Sequence, residues 1–268
     1  MARLDAELVR RGLARARGDA RDLVDRGLVR VDGTVARKPS HPVGPDSDLV
    51  VEHDGPRWVG RAAHKMLAAL EVWGPAGLTA QGRRCLDVGA STGGFTQVLL
   101  AHGAAHVVAL DVGHGQLARE VAEDPRVEER SNTTVRGLAA ADIGGPFDLV
   151  VADLSFISLT RVATELAGLT ARDGDLVVLV KPQFEVGRRR HGVVTTTADR
   201  TAAVEGVLAA LGEQGLHPHG VVPSPIAGST GNAEYLVWAR SVPSDTMGPD
   251  EVRAAVRAAT EATAGGPR

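Results

Sequence analysis

Four apolar runs constrain this chain more than any other feature: "RRCLDVGA" (83–90), "HVVALDVG" (106–113), "FDLVVADLS" (147–155) and "DLVVLVKP" (175–182). Strands that are apolar at nearly every position need cover on both faces, and the intervening segments can supply it. "GGFTQVLLAHG", "GQLAREVAED", "SLTRVATELAGL" and "TADRTAAVEGVLAALGEQG" each have helical character. The alternation predicts an α/β fold, a class I, Rossmann-like parallel sheet with helices on both faces. Its end differs, because "HGVVPSPIAGST" and "NAEYLVWARS" read as two strands in succession and predict an antiparallel edge. With 268 residues and 43% hydrophobic content, the chain has room for this domain and a small second one.

The small domain is expected over residues 1–54. A helical stripe of Leu4, Leu8, Val9 and Leu13 is followed by a shorter one of Ala20, Leu23 and Val24. "LVRVDGTVARKP" then reads as a hairpin around Asp32-Gly33, and "DLVVEH" as a further strand, making a compact α+β module. The chain carries a net charge of −3, yet residues 1–38 hold ten basic and six acidic side chains. That asymmetry predicts a polyanion-binding appendage, unless the charges only solvate a helix face. "HDGPRWVGRA" reads as a link, with residues 55–62 assigned to it, 63–243 to the larger domain, and 244–268 to a C-terminal helix and loose tail.

Cys85 is the sole cysteine, so the chain holds no disulfide framework and no redox or metal cluster is expected. "MARLDAELVRRG" lacks a continuous apolar segment, and no run approaches about 18 apolar residues, which predicts a cytoplasmic protein without a membrane span.

Between the first large strand and its helix lies "LDVGASTGGFTQ" (86–97), with Gly89, Gly93 and Gly94 letting the backbone approach a ligand. Doubly wound sheets bind nucleotide-like cofactors at such a turn. The spacing is not G-x-G-x-x-G. Asp87 would repel a pyrophosphate and suit a cation such as a sulfonium, while Asp111, ending the next strand, is placed to hold ribose hydroxyls. These features favour S-adenosylmethionine over NAD.

Parallel strands present reactive side chains at their carboxyl ends. Here those ends carry Asp153 and Lys181, Glu234 lies near the start of the last strand, and Lys65 sits on the helix before the first. Of thirty basic residues only Lys38, Lys65 and Lys181 are lysine, and two of the three fall in this set. Amine methylation would call for an Asp/Asn-Pro-Pro-aromatic turn after the fourth strand, where this chain has "DLSF"; carbon methylation of a pyrimidine would call for a cysteine there. A hydroxyl acceptor needs a group that takes its proton, and an amine between carboxylates is suited to that.

From "RLDAELVRRGLARAR" through "WVGRAAHK", "LDVGASTGGFT", "ALDVGHGQLA", "ADLSFISL" and "VKPQFEVG" to "GNAEYLVW", about residues 3–240, the chain resembles the TlyA family of ribosomal RNA ribose methyltransferases, some of them labelled haemolysins. The resemblance implies an RNA-binding module of ribosomal-protein type joined to an FtsJ-like methyltransferase domain. It implies a Lys-Asp-Lys-Glu tetrad at Lys65, Asp153, Lys181 and Glu234, and a cytidine 2′-hydroxyl of ribosomal RNA, on a ribosomal subunit, as acceptor. Lys181 is expected as base or charge stabiliser, with Asp153 and Glu234 positioning it and Lys65 near the ribose. The cofactor is expected against Asp87, Gly89, Ser91, Thr92, Gly93, Gly94, Phe95, Asp111, Ser155 and Phe156, and RNA against Arg3, Arg17 and Lys38. His114 stands where the family usually has Tyr, and Thr134 where it has Asn, unless Asn132 takes that role. Rival readings are an NAD-dependent oxidoreductase on the same sheet, a non-enzymatic RNA-binding or assembly factor, and a membrane-lytic protein.

Overall fold

The computed structural model describes residues 2–14, 17–52, 58–186, 192–243 and 246–263. The chain divides into two compact units, residues 1–57 and 58–268. The inner part of the expected link (residues 55–57) and the tail (264–268) lie outside the described residues.

In the first unit β1 (Ala2–Arg3) pairs antiparallel with β4 (Pro42–Val43), beside helices α1 (Leu4–Arg10) and α2 (Arg17–Asp25). A three-stranded sheet of β3 (Thr34–Val35), β2 (Val29–Val31) and β5 (Leu49–Val51) completes it. Asp32-Gly33 does form the turn between β2 and β3, with both residues at positive φ (50° and 79°), as a two-residue hairpin requires. Leu4, Leu8, Ala20, Leu23 and Val24 form one buried cluster with Val29 and Val31, so the two helical stripes face the small sheet.

The second unit begins with α3 (Ala63–Trp73) and continues through β6 (Arg84–Val88), α4 (Gly94–Ala101), β7 (His106–Leu110), α5 (Arg119–Ala122) and β8 (Val127–Arg130). It goes on with β9 (Phe147–Ala152), α6 (Ala163–Leu169), β10 (Thr170–Val180), α7 (Pro182–Glu185) and α8 (Thr197–Glu213). The last elements are β11 (His217–Pro223), β12 (Tyr235–Arg240) and α9 (Pro249–Ala262). The seven strands lie in the order β11-β12-β10-β9-β6-β7-β8. All pair parallel from β10 to β8, while β12 runs antiparallel to both β10 and β11. The antiparallel strand thus lies one position inside the edge, with β11 outside it.

Alternation along each strand fills two cores. Leu86, Val88, Val150, Ala152, Val178 and Val180 face the layer of α6, α8 and α9. Cys85, Leu149, Val151, Val177 and Leu179 face α3 and α4. Burial on both sides explains why these strands read as continuous apolar runs. The helix expected over 115–124 shrinks to the single turn α5, because Ala118 adopts an extended conformation (φ −60°, ψ 139°) and starts the helix only there.

Candidate active site

Topology alone brings the charged residues together. Val88 is in register with Ala152 of β9, and Val180 of β10 with Tyr235 of β12. Asp153 and Lys181 are therefore the first residues beyond their strands on the carboxyl side. Since β12 runs the other way, its beginning lies at that same rim, and Glu234 immediately precedes it. Lys65 comes from the first turn of α3, whose start packs against the start of α4: a Cβ at Gly94 would stand 3.0 Å from the backbone nitrogen of Ala63.

The four side chains form one chain of ion pairs. Lys181 Nζ lies 2.6 Å from Asp153 Oδ1 and donates to Ser155 Oγ at 2.8 Å. Lys65 Nζ lies 3.2 Å from Asp153 Oδ2 and 2.7 Å from Glu234 Oε2. Asp153 thus bridges the two lysines. Glu234, expected to position Lys181, instead pairs with Lys65. Its carboxylate passes close to Gly228, where a Cβ would meet Oε1 at 2.6 Å, so a side chain at 228 would displace it. Two cations and two anions balance formally, which is the condition for holding them in so dry a place. Burial alone would push the Asp153 carboxyl up, but the charges and hydrogen bonds of Lys65 and Lys181 outweigh it and hold it below the usual carboxylate range.

These groups border a cavity of about 350 Å³ whose wall also includes Asp87, Gly89, Ser91, Thr92, Gly94 and Phe95. Gly89 sits at φ 86°, and a Cβ there would meet the carbonyl oxygen of Asp153 at 2.8 Å. Only a glycine lets the turn after β6 lie so close to the end of β9. Asp87 is fully buried; its Oδ2 accepts from the backbone nitrogen (2.9 Å) and hydroxyl (2.7 Å) of Thr96. Its Oδ1 has no hydrogen-bond partner among the described residues. Burial pushes this carboxyl up to about 7, against the pull of the Thr96 bonds.

Three expected cofactor residues stand outside the cavity wall. Asp111 supports the turn from behind, its carboxylate accepting from the backbone nitrogens of Ser91 (2.8 Å) and Gly113 (2.7 Å). Gly93 caps α4 at φ 90° against Leu117 and Val121. Phe156, at φ 65°, turns its ring outward, 92% exposed, to meet Phe184 at 5.4 Å between centroids. Conversely, Val59, Gly60, Arg61 and Ala62, assigned to the link, line the cavity, as does Ser229. The backbone nitrogen of Val59 donates to Gln97 Oε1 of α4 at 2.7 Å, fastening this stretch to the second unit. Arg3, Arg17 and Lys38 are all exposed on the first unit.

Residues 58–241 match the FtsJ-like methyltransferase family and residues 2–49 the S4 domain. The 16S/23S rRNA (cytidine-2′-O)-methyltransferase TlyA of Mycobacterium tuberculosis is 52% identical over 244 residues, 90% of each chain. The chain belongs to the TlyA family. Hemolysin A of Brachyspira hyodysenteriae is 32% identical over 87% of this chain and 98% of its own. A solved structure from Streptococcus thermophilus carrying a provisional hemolysin name superposes with a TM-score of 0.74 at 32% identity, covering 97% of this chain and 95% of its own. Among the described residues no helix is long and apolar enough to cross a membrane.

As an FtsJ-like methyltransferase the protein draws on S-adenosylmethionine, and the cavity fits it. The partnerless Asp87 oxygen offers an acceptor to a cationic or donor group, and the glycine-lined turn lets a ligand approach closely. The NAD reading falls with this assignment.

Proposed function

We propose that the protein methylates a ribose 2′-hydroxyl of ribosomal RNA, with cytidine as the target nucleoside, working on ribosomal subunits in the cytoplasm. The Mycobacterium tuberculosis relative carries that activity in its name. The observation that carries the reading is the setting of Lys181. Ser155 Oγ accepts from its Nζ at 2.8 Å and Asp153 Oδ1 stands 2.6 Å away as the counter-ion, while Lys181 also borders the cavity. A 2′-oxygen can approach the amine there, which stabilises the growing negative charge and, once it has lost a proton, takes the one the hydroxyl gives up.

S-adenosylmethionine, when bound, supplies an electrophilic methyl carbon. Asp87, Gly89, Ser91, Thr92 and Phe95 hold it, and Lys65, held between Asp153 and Glu234, fixes Asp153 in turn. The buried ion pairs are already formed before substrate arrives, so alignment costs little at the moment of reaction. The first unit contributes phosphate and shape contacts through Arg3, Arg17 and Lys38. An ordered target nucleotide must leave its stack to reach the cavity.

The deciding experiment incubates the protein with ribosomal subunits and S-adenosylmethionine and maps ribose methylation on both RNAs. New 2′-O-methyl groups, on cytidine, are expected. Methylation confined to bases, or RNA binding with no transfer at all, would overturn the reading.

A further inference from the structure

The carboxylate of Glu185, at the end of α7, is half buried among groups from a different strand end, and burial raises it above the usual carboxylate range. Among the described residues its hydrogen-bond donors come from 158–160. Ser158 Oγ donates to Oε2 at 2.6 Å and the backbone nitrogen of Leu159 to Oε1 at 2.8 Å, and the backbone nitrogen of Thr160 also contributes. These residues open the 3₁₀ turn Leu159–Arg161, whose free N–H groups need an acceptor.

Two segments thereby run side by side, Asp153–Leu159 after β9 and Lys181–Glu185 after β10, joined at three levels. At the near end Lys181 holds Asp153 and Ser155; in the middle Phe156 meets Phe184; at the far end Glu185 holds Ser158 and Leu159. The middle level includes Phe156 at φ 65°, a backbone conformation that a bulky residue keeps only when its surroundings impose it. The near level carries the reacting amine. Without the far level, the exposed ring contact of Phe156 with Phe184 would be left to tie the 156–159 stretch to the segment that bears Lys181.

We infer that Glu185 is a positioning residue: by anchoring Ser158 and Leu159 it holds the turn at Phe156, and through it Asp153 and Ser155, in register with Lys181. It does not line the cavity, so it acts through residues that do. The inference rests on the methyl-transfer reading above and adds a residue to it. A displacement of Ser155 or Asp153 by about 1 Å is enough to misdirect the amine, and misplacement of that size costs about a hundredfold in rate.

The test uses the full chain. Glu185→Ala is expected to lower kcat about 10- to 100-fold while KM for S-adenosylmethionine and for ribosomal RNA stays at the wild-type value. Glu185→Gln, which keeps an acceptor for Leu159, should recover most of that loss, and Ser158→Ala should lose less than Glu185→Ala. Should Glu185→Ala fail to fold, the Gln and Ser158 variants carry the same comparison. A second readout uses the scarcity of lysine: acetylation by acetic anhydride, followed by mass spectrometry, reports Lys181 against exposed Lys38 in one sample. Glu185→Ala should speed acetylation of Lys181 about tenfold and leave Lys38 unchanged, because a released loop opens locally. A Glu185→Ala protein with wild-type kcat, a change in KM alone, or unchanged Lys181 acetylation overturns the inference. A wild-type protein that transfers no methyl defeats the methyl-transfer reading instead, and the acetylation rate still decides where Glu185 acts.

Discussion

In the first unit Asp5 and Glu7 are buried, while three of the arginines they hold reach solvent: the side chains of Arg3, Arg21 and Arg10 are 53%, 56% and 66% exposed, and Arg11, also on Glu7, turns to the carbonyls of Gly44, Pro45 and Ser47. At the carboxyl rim of the second unit's sheet the ion pairs face inward instead, with Lys65, Asp153, Lys181 and Glu234 at 6%, 13%, 9% and 3%. One arrangement uses a buried carboxylate to aim cations outward at a charged surface. The other uses buried carboxylates to hold cations over a reaction. These two clusters accordingly use different cations. A forked guanidinium displays charge and binds phosphate in two places, whereas a compact amine can give up a proton. The lysine scarcity of the chain acquires a physical reason at Lys65 and Lys181.

The inward arrangement should break hardest. Lys181→Ala is expected to retain binding of S-adenosylmethionine and of RNA but to lose methyl transfer by about 10²- to 10⁴-fold, measured as labelled methyl incorporated into ribosomal subunits. A fully active variant would remove Lys181 from the mechanism. Asp153→Asn should come next, because it leaves two buried ammonium groups facing a neutral amide. Breaking such a pair costs about 3–5 kcal/mol of stability, readable by urea denaturation. The sign of its pH dependence follows from the depressed carboxyl. The stability that Asp153 contributes is complete above the unfolded carboxylate value of about 3.9 and is lost as pH falls through its lower folded value. Asp153→Asn should erase that acid dependence.

Much of the site was legible because a parallel sheet leaves few places for a reactive side chain. Asp153 and Lys181 end apolar runs, and Glu234 joins them because an antiparallel strand begins where parallel ones finish. Pairing was less legible: periodicity places residues on a rim but does not say which carboxylate meets which amine, so Glu234 went to Lys65. Val59–Ala62 read as a link because Gly55-Pro56 and an isolated Trp58 look like a boundary, and nothing local shows that the next four residues line a cavity. Phe156 was expected at the cofactor, but a left-handed backbone at a phenylalanine, which turns the ring away, leaves no mark in the sequence. Glu185 was unreadable for the same reason, since its partners lie 26 and 27 residues earlier on another strand end.

Asp87 tests whether the second unit's inward charges serve ligands as well as each other. Burial raises its carboxyl to about 7, so folding disfavours the ionised form and stability falls as pH climbs from about 4 to about 7. A cationic ligand at its partnerless oxygen selects the ionised form. Affinity for S-adenosylmethionine should therefore rise about tenfold between pH 6 and pH 8 in calorimetric titrations, and Asp87→Asn should flatten that rise.

The smallest effect is expected in the outward arrangement, and it is the one that decides whether the comparison holds. Arg3 gives Nε and one Nη2 hydrogen to Asp5, each bond 3.0 Å long, which is two of its five donors. The remaining three point away from the fork, so the buried carboxylate orients the guanidinium without using it up. Arg3→Ala should weaken binding to ribosomal RNA a few-fold and uniformly across sequences, and lower the slope of log affinity against log salt by about 1, as loss of one phosphate contact does. Asp5→Asn should weaken binding too, although it removes a negative charge, because the fork is no longer held. If Asp5→Asn tightened binding instead, Asp5 would be screening Arg3 rather than aiming it, and the ion pairs of the first unit would serve the fold alone.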